Sequence, residues 1–296
     1  MTTTKTHKRA RWGAAMASSL ALVVSTLAVS STDQTPSPIP SAADVLLVGD
    51  PQINGEGLSD REAIMAMGRS DKSGPLALGA TIQAGALQTS RLETVTEDGI
   101  EVLRRTVSVT RPGSEDVMMR ASIDMDPTTL LPLVARTEQA GQENVVEYDW
   151  DNFVVRTNGA AESEIPLDMP MFEVGTHDVW MAALPLKEGF VARLPAVFAA
   201  TGTKYWAVPR VVGSEAIDLG DGRPLQSWVV ELDWWGMGAD NTAENHSLGG
   251  GANDTAGPGG KYWVLKDPPA GVPPVVRVRT EVDAETDSVI QIQDMN

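Results

Sequence analysis

The side chains with chemical potential in this sequence are few. His177 and Asp178 stand side by side ahead of "VWMAALPLKEGF", and an imidazole oriented by a carboxylate is the general-base half of a hydrolytic triad. Adjacent residues rarely face each other, and no Gly-x-Ser-x-Gly elbow supplies a nucleophile. The same two residues read more simply as the start of a helix. Thr176 or Asp178 would cap it, Trp180, Met181 and Leu184 would share one face, and Pro185 and Gly189 would limit its length. The spacing favours the capping reading, so no catalytic residue is expected at His177.

Two carboxylate arrangements carry further options. Glu231 and Asp233 lie two apart on one strand face, a pairing that would suit an acid-base hydrolase and equally the wet face of a sheet. The segment 236–260 holds Asp240, Asn241, Glu244, Asn253 and Asp254 among eight glycines. Oxygen ligands on a pliable loop suit calcium, but the spacing matches neither an EF-hand nor a nonapeptide repeat, and Gly, Asn, Asp and Ser dominate ordinary loops. His-x-x-His spacings are absent and the chain has no cysteine, so thiol catalysis and thiolate or zincin-type metal sites are excluded. No cofactor and no metal are expected.

The aromatic residues carry the functional reading. Trp206, Trp228, Trp234, Trp235, Tyr262 and Trp263 crowd the C-terminal third of a chain that has only 4 Phe. Trp228, Val230, Leu232 and Trp234 alternate with Ser227, Val229, Glu231 and Asp233, so they share one apolar face, and the neighbours Trp234 and Trp235 must point to opposite faces. Such a face is filled by side chains or by a ligand. Trp180, Trp228, Trp234, Tyr262 and Trp263 are the candidate ligand-binding residues, with core packing and cross-strand pairing as the alternative use of the same rings.

The elements that must hold these residues are mostly strands. "IEVLRRTVSVT" (100–110), "VMMRASIDMD" (117–126), "LPLVARTEQ" (131–139), "NVVEYDW" (144–150) and "NFVVRTN" (152–158) follow one another with Gly, Pro and Asp between them, the pattern of an antiparallel meander. The texture returns after residue 190 in "FVARLPAVF", "SWVVELDWW" and "VVRVRTEVD", again with one polar and one apolar face. Between the two groups falls the helix that begins at His177. "LSDREAIMAMG" (58–68) pairs Ser59 with Glu62 at capping-box spacing and closes on Gly68, which predicts a short N-terminal helix. The expected fold is mainly β, a curled antiparallel sheet packed on one central helix, in a single domain over 44–296 with a Gly-rich loop at 236–260.

The first residues carry an address. Lys5, Lys8, Arg9 and Arg11 precede the apolar run Ala14 to Val29, and Ala28-Val29-Ser30 ends it. This is the layout of an export signal peptide over 1–30, followed by a flexible tether over 31–43. The apolar run is about four residues short of the roughly 20 that a bilayer span takes. No stable membrane span is expected after leader removal. Losing the leader's four cations moves the net charge from −17 to −21. A chain so acidic repels phosphate backbones and anionic membrane surfaces, and nucleic acid is not expected as a partner. Without disulfides the core must be held by packing alone.

Several short pieces resemble one family. "ALPLKEG" (183–189) with the preceding Phe172, "DPTTLLPL" (126–133), and "KYWVLKD" with "VVRVRTE" (261–267, 275–281) are similar to the hallmark, turn and closing hairpin of an exported bacterial domain of unknown function, the DUF3108-like proteins. Their shape is akin to that of the lipoprotein carriers LolA and LolB. The resemblance implies a half-barrel around one helix, working in the cell envelope or outside the cell, and it supplies no catalytic residue. The expected function is that of an exported, non-enzymatic β-protein binding an apolar or amphipathic, lipid-like ligand or an envelope partner. A structural module without a ligand and a carboxylate-based hydrolase are the alternatives.

Overall fold

The computed structural model describes residues 43–58, 60–71, 83–97, 99–199, 202–218, 222, 224–237, 260–281 and 286–294. The leader, all of the tether but Ala43, and most of the Gly-rich segment with Asp240, Asn241, Glu244, His246, Asn253 and Asp254 lie outside the described residues.

Alternating sequences become strands throughout. The first group comprises β1 (Asp44–Val45), β2 (Arg61–Asp71), β3 (Gln83–Glu97), β4 (Ile100–Thr110), β5 (Val117–Met125), β6 (Pro132–Gln139), β7 (Gln142–Tyr148), β8 (Asn152–Thr157), β9 (Ala160–Pro166) and β10 (Phe172–Glu173). After a 3₁₀ turn at Val174–Thr176 and the helix α1 (His177–Ala183) come β11 (Ala192–Phe198), β12 (Thr203–Asp218), β13 (Pro224–Gly236), β14 (Gly260–Leu265), β15 (Val275–Glu281) and β16 (Thr286–Asp294). Strands β2 to β9 form one antiparallel meander and β11 to β16 another. Pairing of β16 with β2 joins them into one sheet. The sheet curls without closing into a barrel: among the described residues, the free edge of β11 carries only the short parallel strands β1 and β10.

Local chemistry sets the turns. Asp126 Oδ1 accepts from the amides of Thr128 and Thr129 and from the Thr129 hydroxyl, which shapes the link from β5 to β6 as an Asx turn. Ala140-Gly141 and Asn158-Gly159 join β6 to β7 and β8 to β9 with positive φ at both residues of each pair, the two-residue hairpin whose twist matches that of the strands.

The short helix expected over 58–68 is a correction. Residues 61–71 form β2, hydrogen-bonded to β16 on one side and β3 on the other. The capping-box spacing of Ser59 and Glu62 and the closing Gly68 gave the segment a helical look, but two neighbouring strands satisfy its backbone groups and override that local signal. The central helix is present and shorter than its apolar pattern allowed. Leu184 adopts an extended conformation (φ −69, ψ 146), as expected for a residue before proline. Neither Thr176 nor Asp178 caps it as proposed. Thr176 is the N-cap residue without a side-chain cap bond. Its hydroxyl donates to the Glu173 carbonyl instead, and Asp178 turns to Arg105.

The main core lies on the concave side, where α1 plugs the curl. Trp180, Met181 and Leu184 are buried on the helix, against Phe172, Phe153, Tyr205, Trp234 and Tyr262 from the sheet. Among the described residues no helix is long and apolar enough to cross a membrane.

Candidate functional site

Alternation on β4 places Leu103, Arg105, Val107 and Val109 on the buried side. Arg105 is therefore a cation pointed at the core, and it meets α1. Its Nε and Nη2 both donate to Asp178 Oδ2, at 3.0 and 2.9 Å. The Arg105 side chain is 9% exposed and that of Asp178 26%, so the pair sits at a border. Asp178 Oδ1 is sealed from solvent without a hydrogen-bond partner.

That border is a half-open cleft between α1 and the concave faces of β2, β3 and β4. Arg105, Asp178 and Arg61 contribute its charge, and Leu58, Met65 and Leu92 are among its apolar walls. Val179 and Ala182 line the helix side, and the Pro273-Pro274 segment closes one end. Arg61 is held by backbone carbonyls alone: its Nε donates to Leu58, Nη1 to Val272 and Nη2 to Gly57. Among the described residues no carboxylate pairs with it. Partial burial accordingly pulls its pKa down, since a desolvated cation is disfavoured.

The expected site residues are distributed over both faces of the sheet. Trp180 and Trp234 meet edge to face at 6.2 Å, and Tyr205 meets Trp234 at 6.1 Å, a packing geometry that ring quadrupoles favour. Tyr262 is buried beside them and takes the His177 ring edge-on at 5.4 Å. Trp228 lies at the margin of the same face, with the Lys266 ammonium 3.7 Å from its ring centre. Trp263 is on the opposite face, because it pairs with Val229 rather than Val230. Its Nε1 donates to Glu215 Oε2 at 2.8 Å and the Arg277 guanidinium lies 5.2 Å from its ring. The apolar face of β13 is thus filled by α1 and neighbouring rings. None of Trp180, Trp228, Trp234, Tyr262 and Trp263 lines the cleft.

His177 donates from Nδ1 to the Val174 carbonyl at 2.9 Å. Burial pushes its pKa down, opposed by Asp178 and by that bond. Glu231 and Asp233 do share a face, but each is engaged by a cation: Asp233 by Arg210, and Glu231 by Lys261 at 3.3 Å. Burial raises the pKa of Asp233, Arg210 opposes the rise and Glu231 adds to it.

Two features escaped the sequence reading. An arginine on the dry face of an alternating strand, as Arg105 is in "LRRTVSV", was a usable signal. Arg61 gave none once its segment was read as helical.

Residues 79–287 match the model of a family described as a protein of unknown function, DUF3108. The chain belongs to that family. In this DUF3108 chain the match takes in Arg105 and Asp178 and leaves Arg61 and Leu58 outside it. A crystal structure described as a beta-barrel-like protein of domain of unknown function DUF1849 from Brucella abortus is 10% identical. The alignment covers 80% of this chain and 99% of that one, with a TM-score of 0.38. No curated protein matches the chain.

Proposed function

We propose that this is an exported, non-enzymatic β-protein whose cleft between α1 and β2–β4 binds an apolar or amphipathic ligand. One observation carries the reading: where the packed interior ends, mostly apolar walls remain open around a guanidinium that no carboxylate among the described residues neutralises. Clefts that are mostly apolar with a few convergent polar groups are the usual form of small-molecule sites. The absence of enzymatic chemistry is supported by His177, whose ring is committed to Val174 and Tyr262, and by the cations held on Glu231 and Asp233. Export is supported by the basic and apolar leader alone.

Native mass spectrometry of the protein purified from its own host is the test, with Ala182→Trp as a cleft-blocking variant. The reading expects a co-purified lipid-like mass on the wild type and none on a folded variant. Bare protein in both cases favours a second reading, a structural or interaction module, which the dense packing of the concave side supports. N-terminal sequencing of the same sample checks export: a start near Ser31 is expected, and an intact leader on membrane-embedded protein overturns it.

A further inference from the structure

We propose that the short strand β10 is a pH-sensitive latch on the open seam of the sheet: ionisation of Glu173 frees β10 from β11 locally while the rest of the fold stays closed. The latch is independent of the ligand-binding reading. Its basis is the way the two meanders meet at their ends. Among the described residues β9 pairs with β8 alone, and no ladder joins it to β11. Ile165 on β9 lies against Gly202 in the β11–β12 turn, where a β-carbon would meet its Cδ1 at 2.7 Å. Lys204 reaches Asp168 at 2.9 Å beside that contact, an exposed pair of little strength. The backbone ladder that β10 adds to β11 is two residues long, Phe172↔Ala196 and Glu173↔Val197.

The Glu173 carboxyl ties these parts together. It accepts from the Tyr148 hydroxyl on β7 at 2.6 Å, from the Gly175 amide in the 3₁₀ turn at 3.4 Å, and from the Ala199 amide just past β11. One wholly buried side chain thus joins the first meander, the segment leading into α1 and the second meander. Tyr148 is the titratable group that faces it. His177 turns to the Val174 carbonyl, Arg105 to Asp178 and Lys204 to Asp168, and among the described residues no cation acts on the Glu173 carboxyl. A neutral carboxyl suits such a place. A carboxylate there has no counter-charge and is disfavoured until water reaches it. Parting a two-residue ladder admits water at less cost than unfolding the sheet, because local openings lie below the global one in free energy. Phe172, whose ring centre lies 6.1 Å from that of Trp180, resists the opening and keeps the open form a minority.

Hydrogen exchange on the full chain, corrected for the intrinsic rate at each pH, tests the latch. Burial raises the Glu173 pKa to about 7. From pH 5 to 7 the opening of amides in 172–176 and 197–199 should therefore grow roughly tenfold per pH unit, one proton leaving with each opening. At pH 7 the same amides should exchange at least about tenfold faster than those of the central strand β4, the mark of a step separate from global unfolding. In Glu173→Gln the seam should stay protected at every pH. Seam amides as slow as those of β4 would mean that β10 opens only with the whole molecule, which overturns the latch. Opening that stays constant with pH overturns it too, since the three donors would then suffice for the carboxylate. A pH dependence that survives in folded Glu173→Gln removes the assignment to this residue. Should the variant fail to fold, the wild-type comparison of seam and β4 decides alone.

Discussion

The Tyr148 hydroxyl donates a 2.6 Å hydrogen bond to Glu173 Oε2, and the glutamate is wholly buried. The carboxyl lies on β10, at the free edge of β11 where the curl stays open. The backbone amides of Gly175 and Ala199 also point to it. Burial outweighs all three donors and pushes the Glu173 pKa up to about 7, while burial and the nearby acid push that of Tyr148 up as well.

A raised carboxyl pKa makes the folded state hold a proton that the unfolded chain releases. From the ordinary value of 4.5 up to about 7 the native state binds more protons, so stability falls as pH rises through that window. The total loss is about 3 kcal/mol as an order of magnitude. Below the window the term vanishes, since both states are protonated. Glu173→Gln removes it. Melting curves of wild type and variant between pH 5 and 8 should show the difference in midpoint shifting steadily in the variant's favour, and a pH-independent difference would sink the assignment.

The Ala140-Gly141 hairpin offers a stabilising change. Ala140 sits at φ 51 and Gly141 at φ 77. Alanine pays for the left-handed region, which asparagine tolerates better. Asn158 occupies the matching place in the next hairpin at φ 48. Ala140→Asn should raise stability by about 0.5–1 kcal/mol in urea titrations, and an unchanged or lower midpoint counts against the turn assignment.

Strands of this protein were legible wherever one face is wet. Alternation placed β4, β5, β8 and β13 within a few residues of their ends, and the Gly, Pro and Asp between the strands marked the turns. It failed at β2, where Ala63, Met65 and Ala66 are buried together: two-sided burial erases the period of two, and Ser59 with Glu62 then imitated a capping box. The indole face was read correctly as one face, but whether α1 filled it depends on depth, which periodicity does not encode. Arg61 and Glu173 were invisible for a related reason. Their roles arise from carbonyls and rings brought from distant segments, Val272 in one case and Tyr148 in the other.

Truncations on α1 separate packing from chemistry. Trp180 is 1% exposed and Leu184 6%. Their replacement by alanine should cost about 3–5 and 2–5 kcal/mol respectively. His177→Ala removes one hydrogen bond and one ring contact, about 1 kcal/mol. Urea midpoints of the three variants check the order. A His177 loss equal to that of Trp180 would mean that the imidazole supports more than its own turn.

The Arg105–Asp178 pair makes the sharpest prediction, because its two ends are unequally placed. Arg105 is nearly buried and Asp178 about a quarter exposed, so the coupling is discounted from that of a sealed ion pair. Arg105→Met leaves a carboxylate facing apolar side chains with Oδ1 already lacking a donor, at a cost of about 2–3 kcal/mol. Asp178→Asn leaves a cation that can turn toward the open cleft and recruit water, at about 1–2 kcal/mol. The double variant has neither stranded charge, so it should be more stable than the sum of the single losses predicts by about 1–2 kcal/mol. A double-mutant cycle from denaturant titrations measures that difference. Strict additivity would mean that the contact contributes no coupling, and that Asp178 holds its place in the helix without Arg105.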